Sequence, residues 1–204
     1  MYLERERRGE KMKTLIWNGS PRKNGNSQDV IDEICHNLEG EYRIVDAYRS
    51  KIAPCVDCRY CWTHKGCCVQ DEMQEIYRFL EECDNILIVS PLYFMQLTGP
   101  LLSVFSRLQA YFSMRIFQKQ QPFSKKKKGA VLFVAGSVRD SFDSAYKTAC
   151  ICLKEMGAEE ILLPVGFHGT DETPVRKQED FLKEIDKILC FFQGASGERK
   201  KSDV

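Results

Sequence analysis

Short apolar runs, each closed by glycine, serine or proline, alternate along this chain with segments patterned as helices, and that alternation restricts the fold more than any other feature. The runs are Lys13–Asn18, the stretch around Arg43–Val45, Asn85–Ser90, Ala130–Ala135 and Ile161–Val165. They are rich in β-branched and aliphatic residues, and Asn85–Ser90 is apolar almost throughout, as expected of a strand covered on both faces. Between them, apolar residues recur at helical spacing. One helix follows Ser27 through Val30, Ile31, Ile34, Cys35 and Leu38. A second is capped by Asp71 and carries Ile76, Phe79 and Leu80. Others run from Gly99 to about Phe112, from Ser141 to Met156, and from Phe181 to Phe192. Strands alternating with helices predict βαβ units, hence an α/β fold with one parallel sheet covered by helices on both faces.

The 204 residues suit one such domain over 13–193, flanked by a polar extension over 1–12 and a polar tail over 194–204. Met12 is an alternative start, and the charged stretch Met1 to Lys13 lacks the apolar core of a secretory signal. No apolar run is long enough to span a bilayer, and a net charge of +1 gives no reason to expect a nucleic-acid or membrane partner. Ten cysteines without an export signal point to a reducing, cytoplasmic setting, where thiols serve metal binding, redox chemistry or packing rather than disulfides.

The first strand hands over to its helix through Gly19-Ser-Pro-Arg-Lys-Asn-Gly-Asn-Ser27. Free amides and the positive end of the helix dipole make that junction an anion site. Ser20 and Ser27 add hydroxyls, Asn24 and Asn26 add amides, Arg22 adds a cation, and Gly25 lets the backbone curl inward. Five residues separate Gly19 from Gly25 and Asn26 stands where a P-loop has lysine, so the nucleotide-triphosphate motif is excluded; Pro21 breaks the dinucleotide fingerprint. The remaining ligand is a phosphomonoester bound without Mg²⁺. Ligands of open α/β sheets sit beyond the carboxyl ends of the strands at the switch point. In a sheet of order 2-1-3-4-5 the loops after the first and third strands flank it. There Pro91 fixes the backbone, Tyr93 and Phe94 offer flat apolar surfaces, and Met95 an adaptable contact.

At these residues the chain resembles the flavodoxin-like NAD(P)H-dependent FMN reductases and iron–sulfur flavoproteins. GSPRKNGNS is similar to their phosphate loop. Ser90-Pro-Leu-Tyr-Phe94, followed by Thr98-Gly-Pro-Leu101 and Arg107, is similar to a second signature about seventy residues further on. The resemblance implies a flavodoxin-like, doubly wound five-stranded sheet and FMN, its phosphate on Ser20, Arg22, Asn26 and Ser27. Its ring would lie beside Pro91, Leu92, Tyr93 and Phe94, with Gly136 and Ser137 as a third ring-side loop. It implies an oxidoreductase taking reducing equivalents from NAD(P)H and passing them to a small molecule or protein, and a homodimer packed through the apolar helix Leu101–Phe112.

Cys55-x2-Cys58-x2-Cys61-x5-Cys67 follows the second strand, with Cys68 adjacent. Compact spacing of this kind suits an iron–sulfur cluster, while zinc accepts four cysteines or three with His64. The resemblance extends here in position and spacing and implies a [4Fe–4S] cluster on Cys55, Cys58, Cys61 and Cys67, hence an electron-transfer role as the alternative to a reductase. Related flavoproteins with a tryptophan after the third cysteine, as Trp62 stands here, leave a third alternative in which the loop holds no metal. A further one is a flavin-free domain whose zinc-bound loop docks a partner. Cys35, Cys83, Cys150, Cys152 and Cys190 fall on helices and read as small core residues. His36, His64 and His168 form no ligand or triad pattern, Ser20 lacks the context of a hydrolase nucleophile, and Lys125–Lys128 read as a solvated charge run. No protein group is assigned as a catalytic acid or base, since the flavin itself carries the hydride.

Overall fold

The computed structural model describes residues 11–194. The extension over 1–12 and the tail over 194–204 lie almost wholly outside the described residues. Six parallel strands form one sheet: β1 (Lys13–Asn18), β2 (Glu41–Asp46), β3 (Asn85–Pro91), β4 (Lys127–Val134), β5 (Ala158–Ile161) and β6 (Val165–Phe167). Their order is β2-β1-β3-β4-β5, with β6 also pairing with β4. This is the flavodoxin-like order, and it puts the carboxyl ends of β1 and β3 side by side, Asn18 level with Val89.

Helices cover both faces. On one side α1 (Asn26–Asn37) and α6 (Phe181–Gln193) bury Val30, Ile31, Ile34, Ile185, Ile188 and Leu189 against Ile16, Leu87, Val89 and Leu132. On the other, α2 (Met73–Glu82), α3 (Gly99–Phe105), α4 (Gln109–Ile116) and α5 (Asp143–Glu155) close over Leu15, Trp17, Ile86, Ile88 and Phe133. Strand side chains point alternately to the two faces, so Leu15 and Ile16 enter different cores. At about 1.5–3 kcal/mol per fully buried large apolar side chain, these two layers dominate the stability.

The expected fifth strand, Ile161–Val165, is the junction between two shorter ones. Leu162 N–H still donates to Gly129 O of β4 (2.9 Å), but Pro164 offers no N–H to a ladder, so pairing with β4 lapses there and resumes at Val165. β5 and β6 thus occupy successive stretches of one sheet position. The helix from Gly99 runs on to Ile116, broken by a 3₁₀ turn at Ser106–Leu108 where Ser106 Oγ donates back to Ser103 O (2.6 Å). Ser27 lies inside the first turn of α1, and Gly25 takes the capping position. The lysine run is not uniformly solvated. β4 begins at Lys127, whose side chain is buried with its ammonium 3.7 Å from the Phe123 ring centroid. Of the cysteines expected as core residues on helices, Cys83 caps the end of α2 and is buried, its thiol pushed up to about 12 by loss of solvent, whereas Cys190 on α6 is exposed and is not a core residue.

Candidate functional site

Two loops meet where β1 and β3 end. Gly19 N–H donates to Val89 O (2.8 Å), and the Thr98 hydroxyl donates to Gly19 O (2.9 Å). A Cβ at position 19 would lie 2.9 Å from both Leu101 Cδ2 and Ser90 Oγ, two buried side chains that would have to shift to admit it. Asn18 then shapes the next turn, its Oδ1 accepting from Ser20 N–H (2.9 Å), and the Ser20 hydroxyl accepts from Arg22 N–H (3.3 Å). Arg49 grips the same loop from the end of β2: it donates to Pro21 O (2.7 Å) and pairs with Asp46. Asp46 is therefore committed to shaping the loop.

Beyond these turns lies a cavity of about 170 Å³ at the carboxyl edge of the sheet. The β1–α1 loop contributes Ser20, Pro21 and Arg22, the first turn of α1 contributes Asn26 and Ser27, and the β3 loop contributes Pro91, Leu92 and Tyr93. Gly136, Thr170 and Asp171 close the far wall. The first amides of α1 have no intrahelical acceptor and lie at the positive end of its dipole, beside the Arg22 cation. Hydroxyls, amides and one guanidinium are a donor set for a doubly charged phosphate; the adjoining Pro91–Tyr93 surface suits a planar group.

Eight of the twelve residues assigned to the flavin from sequence, namely Ser20, Arg22, Asn26, Ser27, Pro91, Leu92, Tyr93 and Gly136, line this one cavity. Asn24, Gly25, Phe94 and Ser137 do not. The Asn26 side chain is engaged elsewhere, accepting from Val175 N–H (3.1 Å) and donating to Thr170 O (3.4 Å), so what it offers an anion is its backbone amide. Ser137 Oγ accepts from Arg139 N–H (3.1 Å) within its own turn. Tyr93 and Gln96 close a tight turn, each N–H donating to the other's carbonyl at 3.0 Å. Phe94 and Met95 at its tip hold φ of 53° and 58°, and the Phe94 ring is fully exposed.

Thr170 and Asp171 escaped the sequence reading because the fifth strand was placed too early. Shifted to Val165–Phe167, it brings Gly169-Thr-Asp171 to the same edge as the other strand-end loops. A Cβ at Gly136 would lie 2.4 Å from Asp171 Oδ2, so a larger residue there would displace that carboxylate from the wall. Asp171 brings a carboxylate to the wall, suited to hydroxyl or N–H donors rather than to phosphate oxygens.

The cysteine loop also emerges at the carboxyl edge, after β2. Cys55, Cys58, Cys61, Cys67 and Cys68 all line one small cavity with Arg107 and Ser113. Among the described residues no three Cys, His, Asp or Glu side chains converge as they would on a single metal ion. Four ligands of one zinc must meet within about 2.3 Å of a point, whereas each cysteine of a cubane holds a different iron. The five thiols border a cavity of only about 30 Å³, so they are a donor set of the right kind for a cluster but are not spread around a space that would hold one. His64 faces away, stacked on Tyr60 at 4.3 Å between ring centroids. Cys61 Sγ reaches Ser113 Oγ at 3.3 Å, while Cys58 and Cys68 sulfurs lie 3.4 Å apart. The Tyr60 N–H, donating to the Cys58 sulfur, draws that thiol below its usual range, and Cys68 is raised by sharing a hydrogen with Cys58. Arg107, its side chain fully buried, donates to Ala53 O (3.0 Å), Val69 O (3.3 Å) and Asp71 (2.6 Å), joining both stems of this loop.

Sheet order, paired strand-end loops and anion cradle together define a flavodoxin-like α/β domain with a mononucleotide-type site. Residues 12–162 match the family model described as NADPH-dependent FMN reductase, and the chain belongs to that family. Among curated relatives, an iron-sulfur flavoprotein of Methanosarcina thermophila is 30% identical over 130 residues, covering 62% of this chain and 64% of the relative. One from Methanocaldococcus jannaschii is 30% identical over 140 residues, covering 67% and 68%. One from Archaeoglobus fulgidus is 32% identical over 103 residues, and the match spans about half of each chain, 49% and 47%. Solved structures of similar fold include an NAD(P)H:quinone oxidoreductase from Methanothermobacter marburgensis (TM-score 0.63, 16% identity, 86% of this chain and 96% of that one). An azoreductase from Bacillus anthracis is similar at TM-score 0.60 and 14% identity, covering 87% and 97%.

Proposed function

We propose that this protein is an FMN-dependent oxidoreductase that takes reducing equivalents from NAD(P)H and delivers them to a small-molecule or protein acceptor. One observation carries the reading: a single cavity joins the hydroxyls and guanidinium of Ser20, Ser27 and Arg22 to the Pro91–Tyr93 ledge. The phosphate would rest on the α1 amides, the Ser20 and Ser27 hydroxyls and Arg22. Asp171 would accept from hydroxyl or ring N–H groups on the opposite wall. Pro91 and Leu92 would press against one face of the ring, and Tyr93 would border its edge. FMN, when bound, supplies hydride acceptance and electron release, so the chain need only bind, orient and shield it. A reducing, cytoplasmic setting is the compartment in which ten cysteines serve as thiols; among the described residues no helix is long and apolar enough to cross a membrane. Exposed Phe112, Ile116 and Phe117 on and just after α4, the last stacked on Trp62 at 4.3 Å, support a homodimer contact there.

Anaerobic titration of the folded protein with FMN, followed by NADH and NADPH, tests this. Uptake of FMN and bleaching of its visible band by one nucleotide is the expected result. Folded protein that takes up no FMN overturns the binding site, and bound FMN that neither nucleotide bleaches overturns the reductase role.

A second reading adds a [4Fe–4S] cluster on Cys55, Cys58, Cys61 and Cys67, favoured by the placing of five cysteines in one loop around a small cavity and by the iron-sulfur flavoprotein relatives. Iron and sulfide analysis of anaerobically prepared protein decides it: protein devoid of both removes the cluster and leaves the FMN reading standing.

A further inference from the structure

The cysteine loop carries one thiol more than a four-ligand cluster uses, and that thiol is placed against a specific partner. Cys58 and Cys68 are both exposed, and their sulfurs lie 3.4 Å apart. The backbone presents Cys58 deliberately: the residues on either side, Asp57 and Arg59, both hold the left-handed conformation, with φ of 48° and 59°. Neither is glycine, so the conformation is strained, and the loop that carries it is tied down at both ends. Those ends are the stems joined by Arg107, through Ala53 O on one side and Val69 O, next to Cys68, on the other. Cys61, by contrast, is turned to Ser113 Oγ at 3.3 Å.

We propose that Cys58 and Cys68 form a reversible intramolecular disulfide, a redox modification site on the cysteine loop. A covalent S–S bond is about 2.05 Å, so closure requires the sulfurs to approach by little more than an ångström in an exposed loop. With hydrogen peroxide as oxidant, one thiolate of the pair attacks a peroxide oxygen. The O–O bond breaks, hydroxide leaves and takes up a proton as water, and a sulfenic acid remains. The second thiol then attacks that sulfur. The S–S bond forms, the S–O bond breaks and a second water leaves. Two thiols lose two electrons and two protons, and one peroxide becomes two waters. A dithiol reductant reverses the change by exchange. Cys58 is also one of the four cysteines read as cluster ligands, so the oxidised pair and a loaded cluster exclude one another, and the disulfide forms on the metal-free loop. The proposal does not depend on flavin binding.

The test is to treat the full chain anaerobically with an iron chelator, expose it to stoichiometric peroxide, alkylate free thiols and digest it without reduction. Trypsin separates residues 52–59, which hold Cys55 and Cys58, from 66–78, which hold Cys67 and Cys68, with Cys61 on a third peptide. The expected result is a covalent 52–59/66–78 pair, two thiols fewer per chain, full reversal by dithiothreitol, and fragment ions assigning the bond to Cys58 and Cys68. Fragment assignment uses the unaltered protein, so it stands whether or not a variant folds. In folded variants, Cys68→Ser abolishes the linked pair and Cys190→Ser leaves it intact. Thiols that stay free, or a bond assigned to Cys55, Cys61 or Cys67, overturn the proposal.

Discussion

Arg107 Nη1 and Asp71 Oδ2 lie 2.6 Å apart at the root of the cysteine loop, the guanidinium side chain fully buried and the carboxylate largely so. Asp71 also accepts from Ala53 N–H and Met73 N–H, both at 3.0 Å, so one carboxylate stitches loop stem, helix start and α3–α4 turn together. Burial opposes its charge, but the hydrogen bond from Arg107 and the two amides outweigh that and hold the carboxyl below its ordinary 3.8. Replacing Asp71 with Asn leaves a buried guanidinium without its counter-charge, and about 3 kcal/mol of stability should be lost. Urea denaturation measures this. A group whose folded value is lowered stabilises fully above its unfolded value and loses that contribution as pH falls through the folded one. The difference between wild type and Asp71→Asn should therefore be constant from neutral pH down to about 4 and shrink below it, where a typical carboxylate begins to protonate. A difference independent of pH down to 2 would show that charge is not what the pair contributes.

Gly19 is fixed by approach rather than by φ. A methyl group there would meet Leu101 Cδ2 and Ser90 Oγ, both at 2.9 Å, and push the β1 and β3 loops apart. Gly19→Ala should cost about 1–3 kcal/mol, the usual penalty of overpacking, and weaken FMN binding more than a stability loss alone explains, because the two halves of the cavity separate. Thermal unfolding and FMN titration on the same sample check both.

How much of this was legible beforehand follows from where the signal was local. β1, its loop and α1 are contiguous in sequence, and turn composition between an apolar run and a helical period marks them directly. The third-strand loop was equally visible. The far wall was not, because Pro164 splits the last sheet position into two short strands and periodicity cannot tell a broken strand of seven or so residues from one shifted run. Asp171 was hidden by that shift. Arg107 was read only as part of a motif, since nothing in its neighbourhood says that it reaches Ala53, Val69 and Asp71. Lys127 was misread for a related reason: a run of four lysines looks solvated, and only the sheet register shows that the third faces Phe123 inside the protein.

Phe94 and Met95 occupy the centre of a two-residue turn with both φ positive, positions that favour Asn-Gly. Phe94 is fully exposed, so no packing in the described chain compensates the strain. Substituting Asn-Gly for the pair should stabilise the fold by about 1 kcal/mol through relief of backbone strain, read as a raised melting temperature. If the tip serves the flavin ring or its acceptor, turnover with NAD(P)H falls in the same variant although stability rises. A variant that is neither more stable nor less active contradicts both parts.

Arg22 is the cation among the residues that line the cavity, and among the described residues its guanidinium has no hydrogen-bond acceptor, only its backbone N–H being engaged with Ser20. Removing it subtracts a charge-assisted contact and leaves the amides and hydroxyls in place. Arg22→Ala should therefore weaken FMN about tenfold, or 1.4 kcal/mol, a modest value because the group is exposed to solvent. Riboflavin, lacking the phosphate, should bind wild type and variant alike. Salt separates the charge contribution from the rest: raising ionic strength from about 0.01 to 0.15 M shortens the screening length from roughly 30 to 8 Å. It should weaken FMN binding to wild type more than to Arg22→Ala. Equal salt sensitivity in the two proteins, or an equal loss of riboflavin affinity in the variant, would place the phosphate away from Arg22.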